Sequence, residues 1–67
     1  MSIAKVSEIS ATSEIGFEEA VRMGIKRASQ TLENITGAWI AEQKVDVKDG
    51  KIVCYRVNMR VTFVLND

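Results

Sequence analysis

The sequence predicts an α+β fold of the order β-α-β-β, in which a three-stranded antiparallel sheet wraps around one helix. An amphipathic stripe in the first half of the chain indicates the helix, and a long alternating pattern in the second half indicates a β-hairpin. The third observation is the length of 67 residues, which allows one domain only. We expect that domain to span residues 1–67.

The first predicted element is a strand over residues 3–10. Apolar Ile3, Val6 and Ile9 are mixed there with polar residues, without a clean period. The segment precedes the helical stripe without a linker, repeat or low-complexity stretch. We therefore place the first strand beside the helix in the same domain.

The helix follows, and its signal is a stripe of residues at three- and four-residue steps. The stripe consists of Phe17, Ala20, Val21, Gly24, Ala28, Leu32 and Ile35. Thr12 and Ser13 are predicted to cap the N-terminus of this helix, because their hydroxyl oxygens accept from free backbone N–H groups. Gly37 is predicted to end it as a left-handed cap. Gly24 inside the stripe indicates a close contact between helix and sheet.

The hairpin is predicted over residues 38–47 and 52–65, joined by the turn at residues 48–51. Asp49-Gly50 between two strand-like runs is among the strongest hairpin signals. In the last strand, every second residue from Val53 to Leu65 is apolar. One face of that strand is therefore buried, and the other meets polar surroundings.

A two-residue loop at Asp49-Gly50 would fix which residues face each other across the hairpin. The resulting pairs are Trp39 with Arg60, Ala41 with Asn58, and Gln43 with Arg56. Trp39 would then stand on the polar sheet face, where an indole can stack on a planar ligand. The same register places Glu42, Lys44 and Asp46 on the helix side. A three-residue loop would instead turn Trp39 into the core, and the residue pattern leaves both registers open.

Composition argues against several classes of function. The nine basic and nine acidic residues balance, which gives no electrostatic basis for binding nucleic acid or a membrane. Histidine is absent and Cys54 is the single cysteine, so we expect no metal site, no disulfide and no enzymatic activity. The N-terminal residues lack the apolar run of a signal peptide, and we expect a cytoplasmic protein. A domain this small that has neither a disulfide nor a bound metal to stabilise it is expected to self-associate.

Several segments together resemble the dodecins over nearly the whole chain. They are Ala11-Thr12-Ser13-Glu14, Phe17, Arg27-Ala28, Asn34-Ile35, Gly37-Ala38-Trp39, Glu42-Gln43, Tyr55-Arg56-Val57 and Val61-Thr62-Phe63. None is specific alone, but their order and spacing match that family. The resemblance favours the register that places Trp39 and Arg56 on one face.

The resemblance implies a hollow homododecamer that stores a flavin, either riboflavin or FMN, and protects it from light. The isoalloxazine ring would stack on Trp39, with Arg56, Gln43 and Ala38 as further binding residues. Arg56 stands where flavin-binding members often carry Gln, and it donates hydrogen bonds without accepting them. The alternative is a structural oligomer of the same type that binds calcium or coenzyme A instead of flavin.

Overall fold

The computed structural model describes residues 3–65, which form one helix and one three-stranded antiparallel sheet. The elements are β1 (Ala4–Ser13), α1 (Phe17–Ala28), β2 (Ile35–Lys48) and β3 (Lys51–Val64). The predicted β-α-β-β order is therefore confirmed. The ends of the predicted domain, residues 1–2 and 66–67, lie outside the described residues.

The central strand of the sheet is β3, which pairs antiparallel with β1 on one side and β2 on the other. Val57, Met59 and Val61 on one face of β3 are fully buried. The alternation predicted for this strand therefore marks the core correctly. We call the face that carries these three side chains the helix-side face, and the opposite one the outer face.

The helix packs mainly on β1 and β3. Ala20 of α1 meets Val57 and Met59 in the core. The Phe17 ring stands edge-on to Tyr55, with 5.1 Å between the ring centroids. The helix-side face of β2 thus receives little cover from α1.

The start of α1 differs from the prediction. Thr12 and Ser13 belong to β1, and Gly16 precedes the helix without any side-chain cap. The Ser13 hydroxyl oxygen instead accepts a 2.9 Å hydrogen bond from the Ile15 backbone N–H. The hydroxyl serves the turn between strand and helix because β1 pairs with β3 as far as Ser13.

The helix also ends earlier than predicted, at Ala28 rather than near Gly37. The Ser29 and Thr31 hydroxyls donate to the Ile25 and Ala28 carbonyl oxygens, at 2.9 and 3.3 Å. Such bonds offer the backbone an alternative to helix continuation. Leu32, Ile35 and Gly37 therefore lie beyond the helix, and the left-handed residue of this connection is Asn34, with φ of 62°.

The hairpin turn follows the prediction. Asp49 and Gly50 have φ of 52° and 76°, and Lys48 pairs with Lys51. Positive φ at both central residues is the type I′ geometry that Asp-Gly favours. The two-residue loop is confirmed, and the three-residue alternative is excluded.

Three bulges modify the predicted register. Val53 in β3 and Ala41 in β2 are extra residues whose shifts cancel, so Trp39 lies opposite Arg60 as predicted. Between these two bulges the predicted pairs are wrong: Asn58 faces Glu42 rather than Ala41, and Arg56 faces Lys44 rather than Gln43. The third bulge, at Thr36, lies nearer the start of β2.

The Ala41 bulge reverses the inside and outside of β2 from that point to the turn. Val45 pairs with Tyr55 on the helix-side face. Glu42, Lys44 and Asp46 pair with Asn58, Arg56 and Cys54 on the outer face. The expectation that these three charged side chains share the helix side is therefore wrong, because an extra residue moves each of them to the opposite face.

Gly24 lies where α1 approaches the sheet most closely. A Cβ atom at this position would stand 2.6 Å from Met59 Cε and 3.0 Å from Ala11 Cβ. The methionine end can move, but the alanine methyl is fixed to the β1 backbone. The predicted close contact between helix and sheet is confirmed.

We expect Gly24→Val to lower the free energy of unfolding by about 1–3 kcal/mol, because it overpacks this contact. Lys26→Val is the matched control, since it adds the same β-branched side chain to an exposed position of α1. Urea unfolding at one fixed protein concentration measures both. Equal stability of the two variants would contradict this account of Gly24.

Candidate ligand-binding site on the outer sheet face

Trp39 occupies the outer face near the start of the hairpin, and the residue is 46% exposed. Its cross-strand partner Arg60 places the guanidinium carbon 6.0 Å from the centroid of the indole ring. Arg60 Nε donates in turn to Glu8 Oε2 at 3.3 Å. β1 supplies Glu8 at this point because Glu8 pairs with Arg60 in the sheet register.

Arg56 lies on the same outer face, nearer the hairpin turn. One of its terminal nitrogens donates to Asp46 Oδ2 at 3.2 Å. The Arg56 Nε atom is buried and has no hydrogen-bond partner. Asp46 thus offsets the charge of the guanidinium, while the buried Nε–H donor is left without an acceptor.

Asn58 separates the tryptophan from the arginine. Its amide nitrogen donates to Glu42 Oε1 at 2.8 Å. Arg56 lies four positions before Arg60, the partner of Trp39, on β3. This separation corresponds to about 13 Å of strand. A planar ligand stacked on Trp39 must extend past Asn58 to reach Arg56 of the same chain.

The structure places two of the four predicted binding residues on the same face of the sheet. Trp39 and Arg56 share the outer face, as the sequence predicts. Ala38 and Gln43 pair with Val61 and Val57, whose side chains lie on the helix-side face. Cross-strand partners point to the same face, so neither residue joins Trp39 within one chain.

Several residues that complete the outer face have no clear signal in the sequence. Asp46 reaches Arg56 only because of the shift at the Ala41 bulge, and no local motif marks that bulge. Glu8 reaches Arg60 through the register between β1 and β3, which are far apart in sequence. Arg60 alone is accessible to prediction, because the two-residue turn places it opposite Trp39.

Comparison with known proteins identifies the family. The family model described as Dodecin matches residues 3–66. The chain belongs to the dodecin family. The resemblance drawn from the sequence is thereby confirmed, together with the β-α-β-β fold that it implies.

Solved dodecin structures are similar to the chain over nearly all of its length. The dodecin from Streptomyces davaonensis has 38% sequence identity and a TM-score of 0.93, and the match covers 98% of this chain and 97% of that one. A tryptophan-to-phenylalanine variant of the Thermus thermophilus dodecin has 27% identity, a TM-score of 0.94 and full coverage of both chains.

A curated relative carries a different ligand in its name. The calcium dodecin of Mycobacterium tuberculosis is 32% identical over 63 residues, which cover 94% of this chain and 89% of the relative. Its crystal structure, described as containing a novel calcium-binding site, has a TM-score of 0.82.

The described residues also bear on metal binding and on membrane insertion. Within residues 3–65, no group of three or more His, Cys, Asp or Glu side chains is placed to hold a metal ion. Over the same residues, no helix has the length and apolar character needed to cross a bilayer.

Proposed function

We propose that this dodecin binds a flavin, riboflavin or FMN, and stores it in a form protected from light. The observation that carries the proposal is Trp39: the single tryptophan of the chain stands on the outer face with 46% of its surface exposed. A core role for this indole would require the other hairpin register. An exposed indole offers a flat aromatic surface on which an isoalloxazine ring can stack.

Arg56 supplies polar recognition in this proposal. Its guanidinium, which is held at one terminal nitrogen by Asp46, donates to an acceptor at the edge of the flavin ring. Because Asp46 offsets the charge, the site does not depend on an anionic ligand. Ala38 and Gln43 lie on the helix-side face of their own chain and contact the flavin only from a second copy.

Binding rather than catalysis follows from the chemistry of the outer face. A proton-transfer site needs a group that titrates near neutral pH beside the substrate, and the chain has no histidine. The outer-face carboxylates of Glu8 and Asp46 are engaged by arginines. We propose a non-enzymatic protein that works in the cytoplasm.

Self-association is part of the proposal, because a single copy covers its apolar groups poorly. The accessible surface is 5013 Å², whereas a folded monomer of this mass exposes about 4,200 Å². The radius of gyration is 13.9 Å, against about 11 Å for a compact chain of this length. Exposed apolar side chains near the hairpin turn include Val47, Ile52 and Val53.

We expect the purified protein to be a homododecamer in native mass spectrometry, without a stable folded monomer. Val47 is 61% exposed, and Val47→Asp places a charge within this apolar surface near the turn. It should therefore shift the population to smaller species. Lys48→Asp, which places the same new charge on an already polar neighbour, is the control. A monomeric wild-type protein would contradict this part of the proposal.

Fluorescence titration of riboflavin and of FMN tests the flavin site. We expect strong quenching of flavin fluorescence that saturates at about one flavin per chain, because a stacked indole gives an electron to the excited flavin. Trp39→Ala should abolish binding. Trp39→Phe keeps a ring for stacking but is a poorer electron donor, so it should bind flavin with less quenching.

Ile40→Ala is the matched control for Trp39→Ala, since Ile40 is the adjacent residue on the helix-side face and is similarly exposed. It should quench flavin as the wild type does once its assembly has been verified by mass. If the wild type leaves flavin fluorescence unchanged, flavin binding is refuted.

The relative named calcium dodecin favours a second candidate function, which is calcium binding. A calcium ion takes six to eight oxygen ligands, and residues 3–65 of one copy hold no cluster of candidate side chains. Calcium would therefore need carboxylates from more than one copy.

Thermal unfolding with added ligands separates the two candidates, since a ligand of the folded state raises the unfolding midpoint. We expect riboflavin to raise it, and calcium chloride to act no differently from magnesium chloride as the matched salt. A rise specific to calcium, or one caused by coenzyme A, without any effect of riboflavin would support the alternative instead.

A further inference from the structure

A guanidinium lies over one face of the Trp39 indole, and a carboxylate on the far side of that guanidinium holds it in place. The Arg60 guanidinium carbon lies 6.0 Å from the ring centroid. Arg60 Nε donates to Glu8 on β1, which fixes the guanidinium from the side away from the indole. Three strands thus meet in one chain of contacts: Glu8 on β1, Arg60 on β3 and Trp39 on β2.

We propose that Arg60 is a positioning residue for Trp39. It covers one face of the indole, so that a ligand stacks on the opposite face, and its charge makes the indole harder to oxidise. The inference rests on the proposed flavin site where the stacked ligand is concerned. The effect on the indole itself concerns the protein without any ligand.

The electrostatic reason is direct. A cation is attracted to the electron-rich face of a ground-state indole. Removal of one electron leaves a positive indole beside the positive guanidinium, and like charges repel. Arg60 therefore raises the one-electron oxidation potential of Trp39.

The neighbouring carboxylates weaken the effect without reversing it. Glu8 lies on β1, two strands from Trp39, and strands are about 4.8 Å apart, so its charge acts from a greater distance than that of Arg60. Glu42 lies on the same face as Trp39, and its carboxylate accepts a hydrogen bond from the Asn58 amide opposite it on β3. Arg60 is the charged residue whose guanidinium lies over the Trp39 ring.

The consequence for the proposed function is a limit on the rate of quenching. The indole gives one electron to the photoexcited flavin and takes it back in the following step, so no external oxidant or reductant is consumed. A higher potential of Trp39 slows the first transfer. The excited flavin should therefore live longer in this protein than in a variant that lacks the Arg60 charge.

The first experiment uses the assembled protein without flavin. Protein-film voltammetry measures the oxidation potential of Trp39 in the wild type and in Arg60→Met, which keeps the chain length but removes the charge. Trp39→Phe supplies the blank that accounts for Tyr55. We expect a lower potential in Arg60→Met and a value near that of the wild type in Arg60→Lys, which restores a cation.

Arg22→Met is the matched control, because Arg22 is an exposed arginine paired with Glu18 on α1, away from the indole. Arg60→Gln provides a second neutral variant if Arg60→Met fails to assemble. Equal potentials in the wild type, Arg60→Gln and Arg22→Met would overturn the inference, whether or not the protein binds flavin.

The second experiment uses the flavin-loaded protein. Transient absorption should give a severalfold shorter excited-state lifetime of bound flavin in Arg60→Met than in the wild type, with Arg60→Lys close to the wild type. An unchanged lifetime would contradict the proposed limit on quenching. Failure of the wild type to bind flavin would refute the proposed function, and the potential of Trp39 would still decide the role of Arg60.

Discussion

The bulge at Ala41 determines the chemistry of both faces of the hairpin. It lies two residues after Trp39, so the indole stays on the outer face while the following residues exchange sides. Without the extra residue, Glu42, Lys44 and Asp46 would face the helix side beside Val57 and Tyr55. Placing charged groups against an apolar surface without partners costs several kcal/mol. With the bulge, the side chains of Asp46 and Glu42 instead accept hydrogen bonds from Arg56 and Asn58, respectively.

The same bulge links the core to the candidate site. Val45 reaches the Tyr55 side of the sheet because of the shift, and Asp46 reaches Arg56 for the same reason. A deletion of Ala41 would reverse the orientation of either Trp39 or the charged residues that follow it. The outer-face position of Asp46 and the helix-side position of Val45 therefore depend on the same backbone irregularity.

Local signals in the sequence were sufficient for the order of helix and strands along the chain and for the hairpin turn. Asp49-Gly50 accommodates positive φ at two successive positions. The apolar alternation of the last strand includes the three fully buried residues of β3, Val57, Met59 and Val61, although Val53 and Leu65 at its ends are exposed. These features depend on neighbours in sequence. Trp39 opposite Arg60 was predictable as well, although only because the shifts at Val53 and Ala41 cancel.

The errors concern features that depend on distant contacts. The apolar stripe continues past Ala28 to Leu32 and Ile35, yet α1 stops, since residues from Ile35 onward pair with β3 instead. Thr12 and Ser13 resemble helix caps but extend β1, because Arg56 and Tyr55 face them across the sheet. Pairing with β3 outweighs the helical preference of these residues. The sequence of one segment alone does not show which strand that segment pairs with.

The spacing of Trp39 and Arg56 connects assembly with ligand binding. About 13 Å of strand separates their positions, and the Asn58–Glu42 hydrogen bond lies between them. When a flavin stacks on Trp39, the end of its ring that is farther from the indole extends past the polar side chains next to Trp39. Ala38 and Gln43 face away from that ligand within the same chain. In the proposed site, a second copy must supply the groups that one chain cannot, so flavin affinity should fall whenever assembly is disrupted, even with Trp39 intact.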